Sequence, residues 1–401
     1  MTEKRTGSSH GASAVLALTA AFDHTSAEEM SEVFASRKKG YIYSRILNPT
    51  VEQLENRMTE LEGGIGAVAC ASGMAAISHL ILALAGPGDT IAAGSELFGG
   101  TYAFFQRWLP RFGIRTVFFD AAQPEELSGS MDKSVKLIFS EGISNPGMKI
   151  SAVEEIARIA REWEIPLVVD NTLSPLFFRP GRWGADIVIH STTKYIDGHG
   201  RVIGGCIIDL GTDHWNRKRY TTLREYIPPF GKLALIECLR HDFVAALGAC
   251  LSPYHASVQL EGLKTLRVRI EQQCRNAMEL ARFLNTRRRV RRVLYPGLDR
   301  HPQHERARRY FGNMFGGMLS FEVESQQAAF RLLNRLQKVH LTANLGDCRT
   351  LALHPASTIF HNFSPAERKN LGVTDGLIRV SLGIEPIDTI IGDFAQALEA
   401  I

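Results

Sequence analysis

Short apolar segments alternating with amphipathic helical stretches predict an α/β protein: a parallel sheet covered by helices on both faces, followed by a smaller α+β domain. Two observations carry this expectation. Between "GAVAC" and "GCIID", apolar runs such as "LVVD" and "DIVIH" recur with helix patterns between them. Past residue 250 the alternation stops, and a long helical stretch precedes more widely spaced strands.

Residues 1–50 read as an arm of mixed composition and weak periodicity, closed by an "NPT" turn at Asn48–Thr50. "TVEQLENRMTELEGG" follows as a helix: Val51, Leu54, Met58 and Leu61 recur at three- and four-residue steps, and Gly63-Gly64 end it. "GAVACASG" is an apolar strand entering a glycine turn, and "MAAISHLILALA" a helix stopped by "GPGD". "TIAAG" and "RTVFFD" are short strands with a helix, "GGTYAFFQRWLPRFG", between them, and "VKLIFSEG" is the next strand. "SAVEEIARIAREWE" is amphipathic, with Val153, Ile156, Ala157, Ala160 and Trp163 on one face, and Ser151 with Glu154 predicts a capping box. "PLVVDNT", "DIVIHSTTK" and "VIGGCIID" complete this run of strands. Beyond them, "LSPYHASVQLEGLKTLRVRIEQQCRNAMELARFLNT" is mostly helical. Strands "RRVLYPG" and "GGMLSFEVE", a helix "QQAAFRLLNRLQKV", and a last strand and helix in "GLIRVSLGIEPIDTIIGDFAQALEAI" follow. The expected division is an arm over 1–50, a large domain over 51–250 and a small C-terminal domain over 251–401.

With 45% hydrophobic and 22% charged residues, the chain has a globular balance and is too apolar for disorder. Its 401 residues permit two or three domains and a large core. A net charge of +4 on that length gives no reason to expect nucleic acid or an anionic membrane as a partner. The densest basic run, "NTRRRVRR" at Asn285–Arg292, has no interleaved aromatics and closes a helical pattern, so it reads as a solvated helix end. No apolar run is long enough for a membrane span. "AVLALTAAF" passes straight into "DHTSAEEM" without a clear cleavage site and reads as mature chain. Cys70, Cys206, Cys238, Cys250, Cys274 and Cys348 are widely spaced with no C-x-x-C, the pattern of reduced thiols in a cytoplasmic protein. No Cys/His spacing fits zinc, "HPQH" (His301, His304) included, and no metal is expected.

In parallel sheets ligands bind outside the carboxyl ends of the strands. Three of those ends are chemically loaded here: "LIFSEGISNP", "LVVDNT" and "IVIHSTTK". Asp170 ends a fully apolar strand, where a carboxylate is costly unless it meets a cation or a donor. A protonated heteroaromatic nitrogen would satisfy it. Lys194 closes the following strand. Alone it would read as a surface lysine, but beside Asp170 it reads differently: a partly desolvated amine has a lowered pKa and becomes a nucleophile towards carbonyls. A Schiff-base lysine with an aspartate on a pyridinium nitrogen is the protein side of pyridoxal-phosphate chemistry. That cofactor needs a cradle for its phosphate. "CASGMAAISHL" supplies a Ser72-Gly73 turn entering a helix, where the backbone N–H groups of Gly73 and Met74 and the helix dipole favour an anion. Ser191 and Thr193 add hydroxyl donors beside the lysine. The "GHG" after it is no G-x-G-x-x-G fingerprint, and no G-x-x-x-x-G-K-[ST] occurs.

The segments "YSRILNPTVEQLE", "ASGMAAI", "FGGTY", "SEGISNP", "VVDNT", "HSTTKYIDGHG", "NLGDCRTLALHPAST" and "LIRVSLGIE" together resemble the pyridoxal-phosphate enzymes of cysteine and methionine metabolism, the cystathionine gamma-synthase-like group. The resemblance runs from about residue 40 to the C-terminus, in family order. It implies the fold type I, aspartate aminotransferase-like architecture: a mostly parallel seven-stranded sheet with a smaller C-terminal α+β domain. It implies pyridoxal 5'-phosphate bound by the large domain, with Lys194 in the Schiff base and Asp170 on the pyridine nitrogen. Ser72, Gly73, Met74, Ser191 and Thr193 resemble the phosphate ligands. Tyr43 and Arg45 of "YSR" resemble residues that complete that site from a neighbouring subunit, which implies a homotetramer built from dimers with shared active sites. Asn145 resembles the residue near the phenolic oxygen. Arg379 resembles the clamp for the substrate α-carboxylate, a bidentate task suited to guanidinium, with Asn344 assisting. Many relatives carry a tyrosine stacked on the pyridine ring. Phe98 stands there in this chain, keeping the stacking area without the hydroxyl. Gly100 likewise replaces the cysteine often found in methionine gamma-lyases.

"NLGD", "HPAST" and "FGGT" most resemble sulfhydrylases acting on O-acylated homoserine, and "KYIDGHGR" with "HPQHERARR" resembles the O-succinylhomoserine branch, as does Phe98. The resemblance implies gamma-replacement with sulfide to give homocysteine. It leaves open a methionine or cystathionine gamma-lyase, a cystathionine gamma-synthase, a gamma-replacement enzyme with a carbon nucleophile, or a cofactor-binding relative without turnover. The acyl group is not specified by any residue.

Overall fold

The computed structural model describes residues 15–211, 215 and 218–401, so the first part of the expected arm, residues 1–14, lies outside the described residues. The remainder of the arm contains a helix, Ala27–Phe34, capped by the Ser26 side chain. Asn48 is more than a turn residue. It is extended and its side chain accepts from Thr50 N, so the helix Pro49–Glu62 starts with proline in its first turn. That helix ends at Gly63, left-handed at φ 75°, as its sequence predicts.

Seven strands form the larger sheet: β1 (Gly66–Cys70), β2 (Thr90–Gly94), β3 (Arg115–Phe119), β4 (Val135–Glu141), β5 (Leu167–Asp170), β6 (Ile187–His190) and β7 (Gly205–Asp209). Their order is β1-β7-β6-β5-β4-β2-β3. Only β7 runs against its neighbours. The side chains of β1 explain the two covered faces. Val68 and Cys70 join the core under helix Gly73–Leu84, whereas Ala67 and Ala69 join the core under helices Pro49–Glu62 and Val153–Glu162. Alternation is invisible in such strands because both faces are dry. Parallel register brings the carboxyl ends together: Glu141 lies opposite Asp170, and Asp170 opposite Ile189.

The second sheet contains β8 (Arg292–Leu294), β9 (Met318–Glu322), β10 (His340–Leu341), β11 (Leu351–Leu353) and β12 (Leu377–Ser381), ordered β10-β11-β12-β9-β8. Helices Pro253–Lys264 and Leu266–Asn285 lead into it, and the exposed arginines of Arg287–Arg292 follow the second of them, as a solvated helix end requires. Strands β10 and β11, of two and three residues, are too short to produce periodicity and have no counterpart among the sequence expectations. Helix His304–Phe311 was likewise not expected; its buried Ala307, Tyr310 and Phe311 recur at three- and four-residue steps amid four charged residues, Glu305, Arg306, Arg308 and Arg309.

Two local expectations are corrected. The capping box of Ser151 and Glu154 does not form. Helix Val153–Glu162 is preceded by Ala152 with no side-chain cap. Ser151 is buried and its hydroxyl instead meets the hydroxyl of Ser140 at 2.6 Å, a partner that the end of β4 needs in a dry environment. The segment "GGTYAFFQRWLPRFG" is not one regular helix. It is α-helical over Gly99–Ala103, π-helical over Phe104–Trp108 and 3-10 over Leu109–Phe112. Pro110 lacks the N–H that would continue an α-helix, and Gly113 closes the segment at φ 72°. The apolar face expected for Val153–Glu162 is present.

Among the described residues all six cysteines are free. No cluster of metal-ligating side chains occurs among them, and no helix is long and apolar enough to cross a membrane.

Candidate active site

The carboxyl ends of β4, β5 and β6, the start of helix Gly73–Leu84, and the Ala343–Leu345 and Arg379 region of the second sheet enclose a cavity of about 250 Å³. Lys194 reaches it from the turn after β6. Its Nζ donates to Asn344 Oδ1 at 2.8 Å. Burial, reinforced by the charge of Arg379, pulls the amine down to about 8.

Asp170 lies at the end of β5. Thr172 N donates to its Oδ1 at 2.9 Å. Burial pushes this carboxyl up, and the Thr172 donors and the nearby His190 work against that push. His190 in turn meets Glu62 Oε1 through Nε2 at 2.6 Å, and Asn171 Nδ2 donates to the same oxygen at 2.9 Å. A buried polar network thus lies behind the carboxylate.

The helix start forms the opposite wall. Ser72 Oγ accepts from Ala75 N at 3.0 Å and Ser72 O from Ala76 N at 3.1 Å. The first-turn N–H groups of Gly73 and Met74 are left towards the cavity that both residues border. Close packing dictates the glycine: a Cβ on Gly73 would stand 2.8 Å from Ser191 Cβ. Gly205 of β7 is equally constrained, since its Cβ would stand 2.2 Å from Ser72 O. Ser191 and Thr193 border the same end. Thr193 Oγ1 already donates to Gly204 O at 3.1 Å and accepts from Gly204 N at 3.0 Å, so its proton must leave that carbonyl to reach an anion.

Arg379, on β12, is 3% exposed. Its Nη2 donates to Asn344 O at 2.8 Å and its Nη1 to Asn145 Oδ1 at 3.3 Å, while Nε is buried without a partner among the described residues. Burial pulls this guanidinium down to about 10. Asn344 therefore serves both cations, Lys194 through its side chain and Arg379 through its carbonyl.

Phe98 borders the cavity at 41% exposure. A Cβ on Gly100 would fall 2.7 Å from Phe98 Cε1, so the glycine leaves room for this ring orientation. Tyr43 and Arg45 do not border the cavity. They lie between helices Ala27–Phe34 and Pro49–Glu62, with the Arg45 guanidinium 5.3 Å from the Tyr43 ring centroid and donating to Ala245 O. The sequence pattern does not single out Glu141, Thr172, Ile203 or Ile359, which also border the cavity. Glu141 had the one available signal, a charge ending an apolar strand.

This donor set fits pyridoxal phosphate: free first-turn N–H groups for an anion, the half-buried Asp170 carboxylate for a ring N–H, and an amine of lowered pKa in the same cavity. Residues 1–399 match the model of the Cys/Met metabolism PLP-dependent enzymes. The chain belongs to this family. It is 40% identical over 395 residues to Sulfhydrylase FUB7 of Fusarium oxysporum, covering 95% of this chain and 91% of the relative. It is 39% identical over 393 residues to O-acetyl-L-homoserine sulfhydrylase 1 of Thermus thermophilus, covering 95% and 93%. A crystal structure from Campylobacter jejuni, assigned as O-acetylhomoserine (thiol)-lyase and carrying N'-pyridoxyl-lysine-5'-monophosphate, superposes with a TM-score of 0.93 at 34% identity over 96% of this chain and 95% of that one. The fold is the type I fold of this PLP family, and the cofactor is pyridoxal 5'-phosphate.

Proposed function

We propose that this PLP-dependent transferase replaces the acyloxy group on the γ-carbon of O-acetylhomoserine with sulfide. The C–O bond at Cγ breaks, a C–S bond forms, and homocysteine and acetate leave. The observation that carries the reading is Lys194: an amine brought to about 8 by burial, within reach of the Arg379 charge, in a cavity that Asp170 also borders. When bound, the cofactor supplies an electron-withdrawing ring that stabilises negative charge at the substrate α-carbon. The chain's own residues do the rest. Lys194, poised near neutrality, takes and returns protons at the substrate carbons. Asp170 keeps a proton on the ring nitrogen. Gly73, Met74, Ser191 and Thr193 hold the phosphate at the helix start, with Ser72 capping that helix. Arg379, oriented by Asn145 and Asn344, takes the α-carboxylate, and its unpartnered Nε adds a third donor to the fork.

The acetyl group is favoured by the lining. Among the described residues only Lys194 and Arg379 bring cations to the cavity, and both have tasks; Ile203, Ile359, Ala343 and Leu345 are apolar. A succinyl carboxylate would find no further cation on this chain's own wall. The names of the Thermus thermophilus relative and of the Campylobacter jejuni structure agree with this choice.

Tyr43 and Arg45 lie away from the cavity of their own chain, which supports their completing the phosphate site of a second copy. The assembly read here is a cytoplasmic homotetramer of dimers that share sites. Each chain divides into an arm (1–50), a large cofactor domain (51–250) and a small domain (251–401). The test is a panel of O-acetyl- and O-succinylhomoserine, each with and without sulfide. Homocysteine from the acetyl ester and sulfide is expected. Sulfide-independent 2-oxobutanoate as the main product would identify a lyase and defeat the proposal.

A further inference from the structure

A second carboxylate in the cavity wall has no task in this chemistry. Glu141 ends β4, stands opposite Asp170 in the sheet register, is 9% exposed and borders the cavity. Its Oε1 accepts the backbone N–H of Phe98 at 2.6 Å. Phe98 starts the irregular helical segment that runs from Gly99, and no side chain caps that start. The Glu141 bond therefore ties the beginning of this segment to the sheet. On its other side the Phe98 ring is accommodated by the missing side chain of Gly100. A phenylalanine has no hydroxyl by which its ring could be held, so its place depends on these two backbone arrangements.

The charged groups acting on Glu141 are Asp170 on β5 and Glu96 after β2, both anionic. Lys149 is committed to Glu96. The cations of the cavity, Lys194 and Arg379, are engaged with Asn344. Side by side at the apolar end of the sheet, these two carboxyl groups do not both ionise readily, and the nearby His190 favours charge on Asp170 alone. Asp170 has the better claim to the charge, since Thr172 donates to it through both backbone and hydroxyl, whereas Glu141 accepts from Phe98 alone. Burial, followed by the Asp170 charge, pushes Glu141 well above the usual carboxylate range.

We propose that Glu141 is a positioning residue: a neutral carboxylic acid that anchors the backbone of Phe98, and so its ring, against the cofactor while the negative charge stays on Asp170. The proposal rests on the reading of Phe98 as the residue facing the cofactor ring.

The test compares holoenzymes of the parent, E141Q, E141A, F98A and E141A/F98A by visible circular dichroism and by pH titration of the visible band. E141Q keeps an oxygen for Phe98 N–H and nothing to ionise. Its titration midpoint should stay within about 0.3 pH units of the parent, and its dichroism should persist. E141A should lower the dichroic amplitude by about twofold or more, and E141A added to F98A should have little further effect, because the two act as a unit. A midpoint moved by about one pH unit or more in E141Q overturns the neutral acid. Additive effects of E141A and F98A overturn the anchoring. If E141A does not fold, the E141Q titration still decides the protonation state. A parent without a borohydride-sensitive visible band would defeat the cofactor reading itself. A parent with that band whose dichroism is indifferent to E141A defeats only the role given to Glu141.

Discussion

Replacing Lys194 by methionine should stabilise the cofactor-free protein. The amine is desolvated and falls from 10.5 to about 8 in the folded chain, first through burial and then through the charge of Arg379. Each unit is about 1.4 kcal/mol, so below pH 8 the folded state carries about 3 kcal/mol of unfavourable free energy from keeping this group charged. Between pH 8 and 10.5 the unfolded chain binds more protons at this position than the folded one. The Lys194 contribution therefore makes stability rise with pH across that window and vanishes as a penalty above it. Lys194→Met fills similar volume without a charge. The variant should melt higher than the parent apoprotein at pH 7, with the gap closing by about pH 10.5. The assay is thermal or urea unfolding of both cofactor-free proteins at half-unit pH steps. The gap, not either curve alone, isolates the lysine, because other titrating groups are common to both. A methionine variant equal to or below the parent at pH 7, or a gap independent of pH, would refute a destabilised amine. The base role assigned to Lys194 would then need another source for its lowered pKa.

Three further outcomes follow from the same coordinates. Gly73→Ala puts a Cβ 2.8 Å from Ser191 Cβ and 3.1 Å from Ser191 Cα, a backbone atom with little freedom to move. Cofactor titration should show affinity weakened by about tenfold or more, as overpacking of a close-packed wall requires. Arg379→Lys removes the planar fork. The visible band should persist while kcat/KM for the amino-acid substrate falls by about 100-fold, and an unchanged kcat/KM would remove Arg379 from the carboxylate site. Arg240→Ala strands Glu55, which is paired with Arg240 Nη2 at 2.9 Å and also accepts from Ala69 N at 2.9 Å in the buried base of β1. A loss of about 3–5 kcal/mol is expected in denaturant unfolding. A loss under about 1 kcal/mol would mean that water reaches the remaining carboxylate.

Which parts of this site are legible in the sequence follows from the range of the interactions involved. Asp170 and Lys194 stand out because a charge that closes an apolar strand violates burial unless something meets it. Glu141 has the same signature, yet its partner is the backbone of Phe98, 43 residues away, and an N–H leaves no trace in composition. Gly100 reads as a departure from related sequences, but its reason appears only once the Phe98 ring is placed within reach of the absent Cβ. The Ser151–Glu154 spacing matches a local rule and fails because a tertiary partner, Ser140, competes for the same hydroxyl. Strands β10 and β11 are set by pairing with their neighbours rather than by any period of their own. Asn344 is the extreme case. It lies 150 residues from Lys194 and 35 from Arg379 in sequence, and it touches both. Lys194 follows β6 of the larger sheet and Arg379 lies on β12 of the smaller. The Lys194 amine and the Arg379 guanidinium are thus linked across the junction of the two sheets through one asparagine, and the charge of Arg379 helps to lower the lysine pKa over the same gap. On the roles proposed for these two residues, a substrate carboxylate at Arg379 would offset the charge that Lys194 feels and raise the basicity of its amine once that amine is free of the cofactor.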